Sequence, residues 1–219
     1  MEIKNYREKI MVENLLTRNY FNGKAKDWNS KQSEKNAKIH QLLSKLDLQR
    51  CTSILDIGCG TGVLFPFLIK FAQRQAKVFA IDFAECMARE AAQQNYPAAN
   101  VLCGCARYLP FIDNSIDLVI AFHVIPHIQG KYRAIKECWR VLKPYGKLAI
   151  IHLHGSQEIN AIHAEIGGTV ENHKLQSGEQ MERMLKKANF EIQDMVDRRG
   201  EYFVVGQKIT GGFDRSYSN

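Results

Sequence analysis

The sequence has none of the features of a fibrous, low-complexity or membrane-spanning protein. It contains only five prolines and 15 glycines, and 24% of its 219 residues are charged. These values exclude collagen-like and wholly disordered chains. No apolar run approaches the ~18 residues that a bilayer-spanning helix needs. The first eight residues are polar and lack the apolar core of a signal peptide. We therefore expect a cytoplasmic protein with no membrane partner.

Cysteine and charge patterns exclude two further classes of site. The six cysteines are scattered and include no C-x-x-C pair, so we expect reduced thiols rather than a disulfide framework. The net charge is +7 and the pI about 9.1, but the basic residues are spaced and not clustered with aromatic residues. A solvated basic face accounts for this spacing, and we do not expect a nucleic-acid partner. The sequence leaves the oligomeric state open.

Apolar segments of strand length alternate with segments of helical periodicity. Such alternation predicts an α/β fold: a Rossmann-like, mostly parallel sheet with helices on both faces. No helix separates the last two strands, so one of them must run antiparallel. We predict a helical extension or lid over 1–50, a ligand-binding domain over 51–209 and a tail over 210–219. The predicted strands are 53–57, 77–81, 99–103, 115–122, 147–153, 190–195 and 202–208, and the predicted helices after the extension include 64–75, 84–94, 132–142 and 179–188.

A glycine-rich loop follows the first strand and carries the strongest functional signal. The run from Leu55 to Gly62 reads LDIGCGTG, so its glycines follow G-x-G-x-G spacing instead of the dinucleotide pattern G-x-G-x-x-G. Asp56 lies on the strand just before these glycines. A carboxylate there disfavours a bound phosphate and favours an ammonium group, while the glycines let the backbone approach a compact ligand closely.

A second acidic residue, Asp82, ends the next strand, 20 residues after Gly62. A carboxylate at that place accepts hydrogen bonds from ribose hydroxyls. Together, Asp56 and Asp82 indicate a nucleoside ligand that carries an amine and no phosphate. S-adenosylmethionine fits that description, so we predict it as the cofactor.

These motifs resemble the class I S-adenosylmethionine-dependent methyltransferases, within the type 11 group that is similar to ubiquinone and menaquinone methyltransferases. The resemblance covers about residues 20–208 and implies a seven-stranded sheet whose last strand is antiparallel. It also implies a small-molecule methyl acceptor placed above the fourth and fifth strands. The segments that carry it are ILDIGCGTG at 54–62, Asp82-Phe83 with Met87, LPF at 109–111 with SIDLV at 115–119, and LKPYGKL at 142–148.

The resemblance also supplies the remaining cofactor contacts. Met87 is expected to pack on the adenine, although the interior of a helix would also explain it. The family usually has Gly-Asp-Ala where this chain has Gly104-Cys105-Ala106, and cysteine is a poor acceptor for the adenine amino group. Adenine must then be held by backbone groups, packing or a water molecule. The full predicted cofactor set is Asp56, Gly58, Cys59, Gly60, Gly62, Asp82, Phe83, Met87, Cys105, Ala106 and Phe122.

Six of the seven histidines follow the fourth or fifth strand, where the methyl acceptor is expected. Histidine is the commonest general base near neutral pH, and we predict His123 or His154 as the catalytic base, with His123 favoured because it adjoins Phe122. A structural role is the alternative for each, above all for His127. The predicted acceptor-side residues are Tyr20, Trp28, His127, His152 and His163, with Tyr20, Phe21 and Trp28 forming a lid or simply docking the extension.

The sequence also allows three alternatives, which are a metal site and two other activities. His152-x-His154 places two rings on one face of a strand, and His163 with Glu158 or Glu165 would have to complete a ligand set. No cysteine joins them, so we expect no metal. An RNA or protein methyltransferase would need a recognition module that the sequence does not show. A non-catalytic binding module would not need to keep Asp56, Gly58, Gly60 and Asp82 intact.

Overall fold

A seven-stranded sheet lies at the centre of the computed structural model, which describes residues 2–28 and 36–209, with side chains from Met11 onward. The strands are β1 (Ser53–Ile57), β2 (Lys77–Asp82), β3 (Ala99–Cys103), β4 (Ile116–Phe122), β5 (Leu142–His152), β6 (Phe190–Arg198) and β7 (Glu201–Lys208). Their spatial order is β3-β2-β1-β4-β5-β7-β6. The chain order reverses direction between β1 and β4, which is where open α/β sheets bind ligands at the carboxyl ends of their strands.

The strand directions confirm the predicted fold class. β1 to β5 run parallel to one another, whereas β7 is antiparallel to both β5 and β6. β1 reads as a continuous buried run because it lies between β2 and β4 with both faces covered. The last strand therefore enters the sheet in reverse, as expected for two strands joined by a turn instead of a crossover helix.

Seven α-helices surround the sheet within the described residues. They are α1 (Glu2–Lys24), α2 (Asn36–Leu43), α3 (Phe65–Phe71), α4 (Glu85–Gln93), α5 (Lys131–Val141), α6 (Ser156–Ile166) and α7 (Gly178–Lys187). Apolar side chains of α5, α6 and α7 pack on one face of the sheet, and those of α2 and α3 pack on the other. No helix in this part of the chain is long and apolar enough to cross a membrane.

Several element bounds differ from the sequence prediction. The predicted helix 64–75 is the shorter α3, which ends at Phe71, and β6 continues three residues beyond its predicted end. β5 begins at Leu142, five residues before the predicted start, because Leu142 already pairs with Ile116 of β4; the pairing then shifts register and resumes at Lys147. Tyr145 has a φ of 64° at this irregularity. The segment directly after β5 forms the helix α6. The predicted tail, 210–219, lies outside the described residues.

Asp117 joins β4 to the start of β1, at the end of the sheet opposite the glycine loop. Its Oδ2 accepts hydrogen bonds at 2.9 Å from the backbone amides of Thr52 and Ser53, and Lys143 forms an ion pair with it at 2.8 Å. Partial burial acts to raise the pKa of Asp117, but these donors outweigh it and lower the pKa to about 2. The carboxylate therefore stabilises the folded chain without contacting the ligand end of the sheet.

Candidate active site

The glycine loop turns sharply at the carboxyl end of β1, and two of its three glycines have no room for a Cβ. Gly58 has a φ of +69°, and a Cβ there would lie 2.1 Å from Val124 Cγ2. Gly62 has a φ of +87°, and its Cβ would lie 2.7 Å from the ring of Phe65. The amides of Gly58 and Cys59 donate to the carbonyl of Ile81 at 2.7 and 3.2 Å, which ties the loop to β2. The first and last glycines of the loop are therefore required by its positive φ angles and close packing.

Asp82 fixes the same loop from the neighbouring strand. Its two carboxylate oxygens accept from the amides of Gly60 and Ala84, each at 2.8 Å. Burial raises the pKa of Asp82 above its usual range, and these amide hydrogen bonds oppose that rise. Each carboxylate oxygen has a second lone pair. The predicted ribose contact is thus compatible with the structural role that the carboxylate already has.

Asp56 is a buried polar group of the site whose hydrogen-bonding atoms have no partner among the described residues. It is 1% exposed in the central strand β1, and neither carboxylate oxygen has a hydrogen-bond partner among the described residues. Burial raises its pKa to about 8, and the nearby carboxylate of Asp82 adds to the shift. A buried carboxylate without a partner is costly, and a ligand ammonium group beside it would remove that cost. The chemistry of this residue therefore fits the amino end of S-adenosylmethionine.

The predicted adenine-side residues divide into two groups. Met87 is 1% exposed and packs with Ala25 and Ala84, so part of its surface faces the extension and not an open pocket. Ala106 packs against the main core, and Cys105 Sγ accepts from Arg107 Nε at 3.5 Å. The ring of Phe83 lies under the guanidinium of Arg18, 4.9 Å from its carbon atom. These positions place the predicted set near the end of β2 without showing an adenine contact.

Helix α1 packs on the residues that join β2 to α4 and forms hydrogen bonds with them. Arg18 Nε donates to the carbonyl of Phe83 at 3.1 Å, and Asn22 Oδ1 accepts from the amide of Cys86 at 2.9 Å. Phe21 packs beside Ala84 and Met87. The sequence pointed to the aromatic residues but missed Arg18 and Asn22. Their spacing of four residues on one helical face was the available signal.

The aromatic residues of the predicted lid form a chain of contacts that ends at the glycine loop. The ring of Phe21 meets Tyr20 at 5.2 Å and Trp28 at 5.7 Å. The indole nitrogen of Trp28 is 3.6 Å from the position that a Cβ of Gly60 would occupy. Trp28 remains 40% exposed. The extension therefore reaches the edge of the loop, and its contact with a ligand stays a prediction.

His123, His152 and His154 have very different surroundings. His123 has a φ of 55°, its ring contacts Phe122 at 4.4 Å, and its Nε2 accepts from the amide of Leu153 at 3.1 Å. His152 is buried between His123 and Tyr202, and both of its ring nitrogens lack a hydrogen-bond partner within the described structure. Burial lowers its pKa well below the usual value. The His154 side chain is 45% exposed and 3.7 Å from Glu158.

A second histidine group lies between α1, α6 and the loop after β4. His127 Nδ1 is 2.9 Å from His173 Nδ1, and His163 Nδ1 is 2.5 Å from the carbonyl of His173. The ring of His127 contacts Phe21 at 4.8 Å. Burial lowers the pKa of each of the three histidines. The structure thus brings the predicted residues His127 and His163 together and adds His173, which was not among the predicted site residues.

The part of the chain that the structure describes contains no group of three or more potential ligands arranged to hold a metal ion. His152 and His154 do not combine with His163 into such a group. The requirement for a metal is therefore left to experiment.

Comparisons with known proteins agree with this geometry. Residues 55–150 match the family described as a methyltransferase domain, and residues 7–102 match protein-L-isoaspartate(D-aspartate) O-methyltransferase. A solved structure of an S-adenosylmethionine-dependent methyltransferase from Aquifex aeolicus has a TM-score of 0.70 at 21% identity, covering 86% of this chain and 98% of that one. This likeness shows the fold.

Curated relatives match about half of the chain. The demethylmenaquinone methyltransferase of Lactiplantibacillus plantarum is 34% identical over 51% of this chain and 49% of its own length. The malonyl-[acyl-carrier protein] O-methyltransferase of Methylococcus capsulatus is 38% identical over 44% of this chain and 35% of its own length. The chain thus spans less than half the length of these relatives.

Proposed function

The chain carries the domain of the class I S-adenosylmethionine-dependent methyltransferases, and from this premise we propose that it methylates a small-molecule acceptor. The observation that carries the proposal is Asp56, a buried carboxylate that has no partner among the described residues and lies beside the glycine loop. A ligand's ammonium group would give this carboxylate a partner, and its nucleoside would lie beside the loop. Among the described residues, those that would hold it are Asp56, the glycine loop and Asp82.

The protein's own contribution to catalysis is positioning. When bound, S-adenosylmethionine supplies a methyl group on a positively charged sulfur, which is already activated for transfer. Asp56 would orient the amino end and Asp82 the ribose, while the loop that Asp82 holds sets the distance between them. The histidines at the ends of β4 and β5 border the side from which an acceptor would approach. Correct placement of two reactants alone contributes about 7–11 kcal/mol in well-oriented systems.

The relatives suggest two kinds of acceptor. By their names, one acts on demethylmenaquinone and the other on malonyl-[acyl-carrier protein]. The match to the isoaspartate enzyme covers residues 7–102 and so excludes β4 and β5. It therefore carries little weight for a protein acceptor. The buried aromatic and histidine surroundings below α1 favour a small, partly apolar acceptor over a folded protein or RNA.

The assignment of His123 or His154 as the catalytic base is still a prediction. The amide of Leu153 donates to Nε2 of His123, so the proton of a neutral His123 is on Nδ1. That arrangement suits His123 better as a hydrogen-bond donor than as a base through Nε2. His154 is more exposed and faces Glu158. Alanine variants of both belong in the rate assay described next.

The experiment measures binding and transfer separately. Calorimetry with S-adenosylmethionine tests the cofactor site, and transfer of a tritiated methyl group is followed with demethylmenaquinol, malonyl-acyl carrier protein and a protein-free metabolite extract. We expect binding that Asp82→Ala weakens and that Asp194→Ala, a matched change of an exposed carboxylate on β6, leaves intact. Failure to bind S-adenosylmethionine would refute the proposal. Binding without transfer to any of the three acceptors would leave the non-catalytic alternative in its place.

A chelator control accompanies the transfer assay, because no metal is expected to take part. Activity lost on chelation and restored by a metal ion would show that expectation to be wrong.

A further inference from the structure

A chain of hydrogen bonds runs from helix α1 into the loop after β4 and fixes where the protons are. It starts at Thr17, whose side chain is buried. The Thr17 hydroxyl donates its only proton to the carbonyl of Glu13 at 2.8 Å. Towards His173 Nε2, 3.5 Å away, the same oxygen can only accept. The proton of His173 is therefore on Nε2.

The next link determines the tautomer of His127. Burial, with Lys131 and His163 nearby, lowers the pKa of His173 to about 4, so this ring is neutral at pH 7. A neutral ring that carries its proton on Nε2 has a bare Nδ1. His127 Nδ1 lies 2.9 Å from that atom, so His127 must donate from Nδ1. A neutral His127 then has an unprotonated Nε2, to which no other described residue donates.

His127 is also neutral, and it lies on the loop that packs against the glycine turn. Burial, reinforced by His163, His173, Lys131 and His123, lowers its pKa well below the usual value. His127 follows Val124, which packs so closely on Gly58 that no Cβ would fit there. On its other side it contacts Phe21 of α1. The bare nitrogen therefore belongs to a ring that contacts α1 and lies on the loop whose first residues pack on the glycine turn.

The other histidines are arranged differently. His123 uses Nε2 to accept from the amide of Leu153. His163 donates from Nδ1 to the carbonyl of His173 and so also has a bare Nε2. It lies on α6, however, whereas His127 lies on the loop that directly contacts the glycine turn.

We propose, resting on the proposed function, that His127 is a catalytic residue that takes the acceptor's proton on Nε2. His173 and Thr17 are positioning residues that hold it in the required tautomer. The acceptor atom forms a bond to the methyl carbon, and the carbon–sulfur electron pair remains on sulfur, which becomes neutral. The acceptor–hydrogen pair stays on the acceptor atom, and the proton moves to His127, which becomes an imidazolium. Charge and atoms balance without another reactant.

The same geometry restricts the class of acceptor. A hydroxyl or amine proton becomes strongly acidic as the oxygen or nitrogen bonds to carbon, so a weak base such as His127 suffices. A carboxylate acceptor has no proton to lose and would make this arrangement unnecessary. The structure therefore favours a hydroxyl- or amine-bearing acceptor over a carboxylate.

The first test needs no acceptor. Nitrogen NMR of protein labelled with 15N-histidine reports which ring nitrogen carries the proton. We expect His127 to carry it on Nδ1 at pH 7, with or without bound S-adenosylhomocysteine. His173→Leu should abolish that preference, and His173→Asn should preserve it because the amide oxygen replaces Nδ1 as acceptor. A proton on Nε2 of His127 in the wild-type protein would overturn the proposal.

The second test measures single-turnover methylation of the acceptor that the wild-type protein uses. His127→Asn should lower the rate by about 10²–10⁴-fold and leave S-adenosylmethionine affinity unchanged. His173→Leu should cost at least about tenfold, below the ~10⁴-fold cost of a wrong tautomer in a catalytic triad, and His173→Asn should recover most of it. His40→Asn, on α2 beside Phe71, is the matched control.

Three results would contradict this assignment. One is a wild-type rate for His127→Asn, and another is a loss confined to His163→Asn. The third is wild-type methylation of malonyl-acyl carrier protein alone, which would keep the methyl-transfer function but remove the need for a base. An absence of all methylation would instead refute the proposed function itself.

Discussion

Replacing Asp56 by asparagine should stabilise the free protein while it weakens cofactor binding. The pKa of Asp56 is raised by burial and by Asp82 from 3.8 to about 8. Folding at pH 7 must therefore take up nearly one proton on this side chain. At about 1.36 kcal/mol per pKa unit, that uptake costs on the order of 4 kcal/mol. Asparagine has nearly the same shape as the protonated carboxyl group and needs no proton.

The pH dependence of this stability difference follows from the direction in which the pKa of Asp56 shifts. A carboxyl group whose pKa is raised on folding favours the folded state below its unfolded pKa, and that stability is lost as the pH rises through the folded pKa. The free energy of unfolding of Asp56→Asn minus that of the wild-type protein should thus be near zero at about pH 4. It should grow to the order of 4 kcal/mol by pH 7.

The assay is urea unfolding between pH 4 and 8, with and without saturating S-adenosylmethionine. The ligand should stabilise the wild-type protein by mass action. The variant should lose a charged contact worth roughly 1.5–3 kcal/mol, which weakens binding by about 10- to 150-fold. Asp194→Asn, at an exposed position on β6, controls for the loss of one charge. A difference that does not change with pH, or a variant less stable than the wild type at pH 7, would refute the reasoning.

Three further predictions concern single contacts of the fold and site. Asp82→Ala removes the carboxylate that accepts from Gly60 and Ala84, so calorimetry should show S-adenosylmethionine affinity at least about tenfold weaker; unchanged affinity would contradict its assignment. Gly58→Ala should destabilise the protein by about 1–3 kcal/mol in urea unfolding, because its Cβ would lie 2.1 Å from Val124, and Val124→Ala should restore part of that loss. Asp117→Ala should cost about 1–2 kcal/mol at pH 7, because its pKa falls to about 2 on folding and solvent screens part of that interaction. The stability that Asp117 provides is present above about pH 4 and is lost as the pH falls through 2, whereas cofactor affinity should not change.

The local sequence determined the bounds of several strands and the position of the glycine loop. β1 and β3 have the bounds that their apolar runs predict, because a short buried run between turns has few other structures open to it. Asp56 and Asp82 could be recognised because strand ends and a glycine turn are encoded by contiguous residues. The local pattern did not predict the start of β5. Leu142 begins β5 only because β4 is beside it, and a pairing with a distant strand is not visible in a local pattern.

Tertiary structure alone decided how the histidines are connected. Thr17 and His173 are 156 residues apart in the chain, and His127 and His173 are 46 apart. Residue type and position predicted that histidines would gather above β4 and β5, since parallel strands end at one edge of the sheet. Which ring nitrogen carries each proton depends on the donor or acceptor that packing brings to it. For that reason the sequence favoured His123, whereas the hydrogen bonds of the folded chain favour His127.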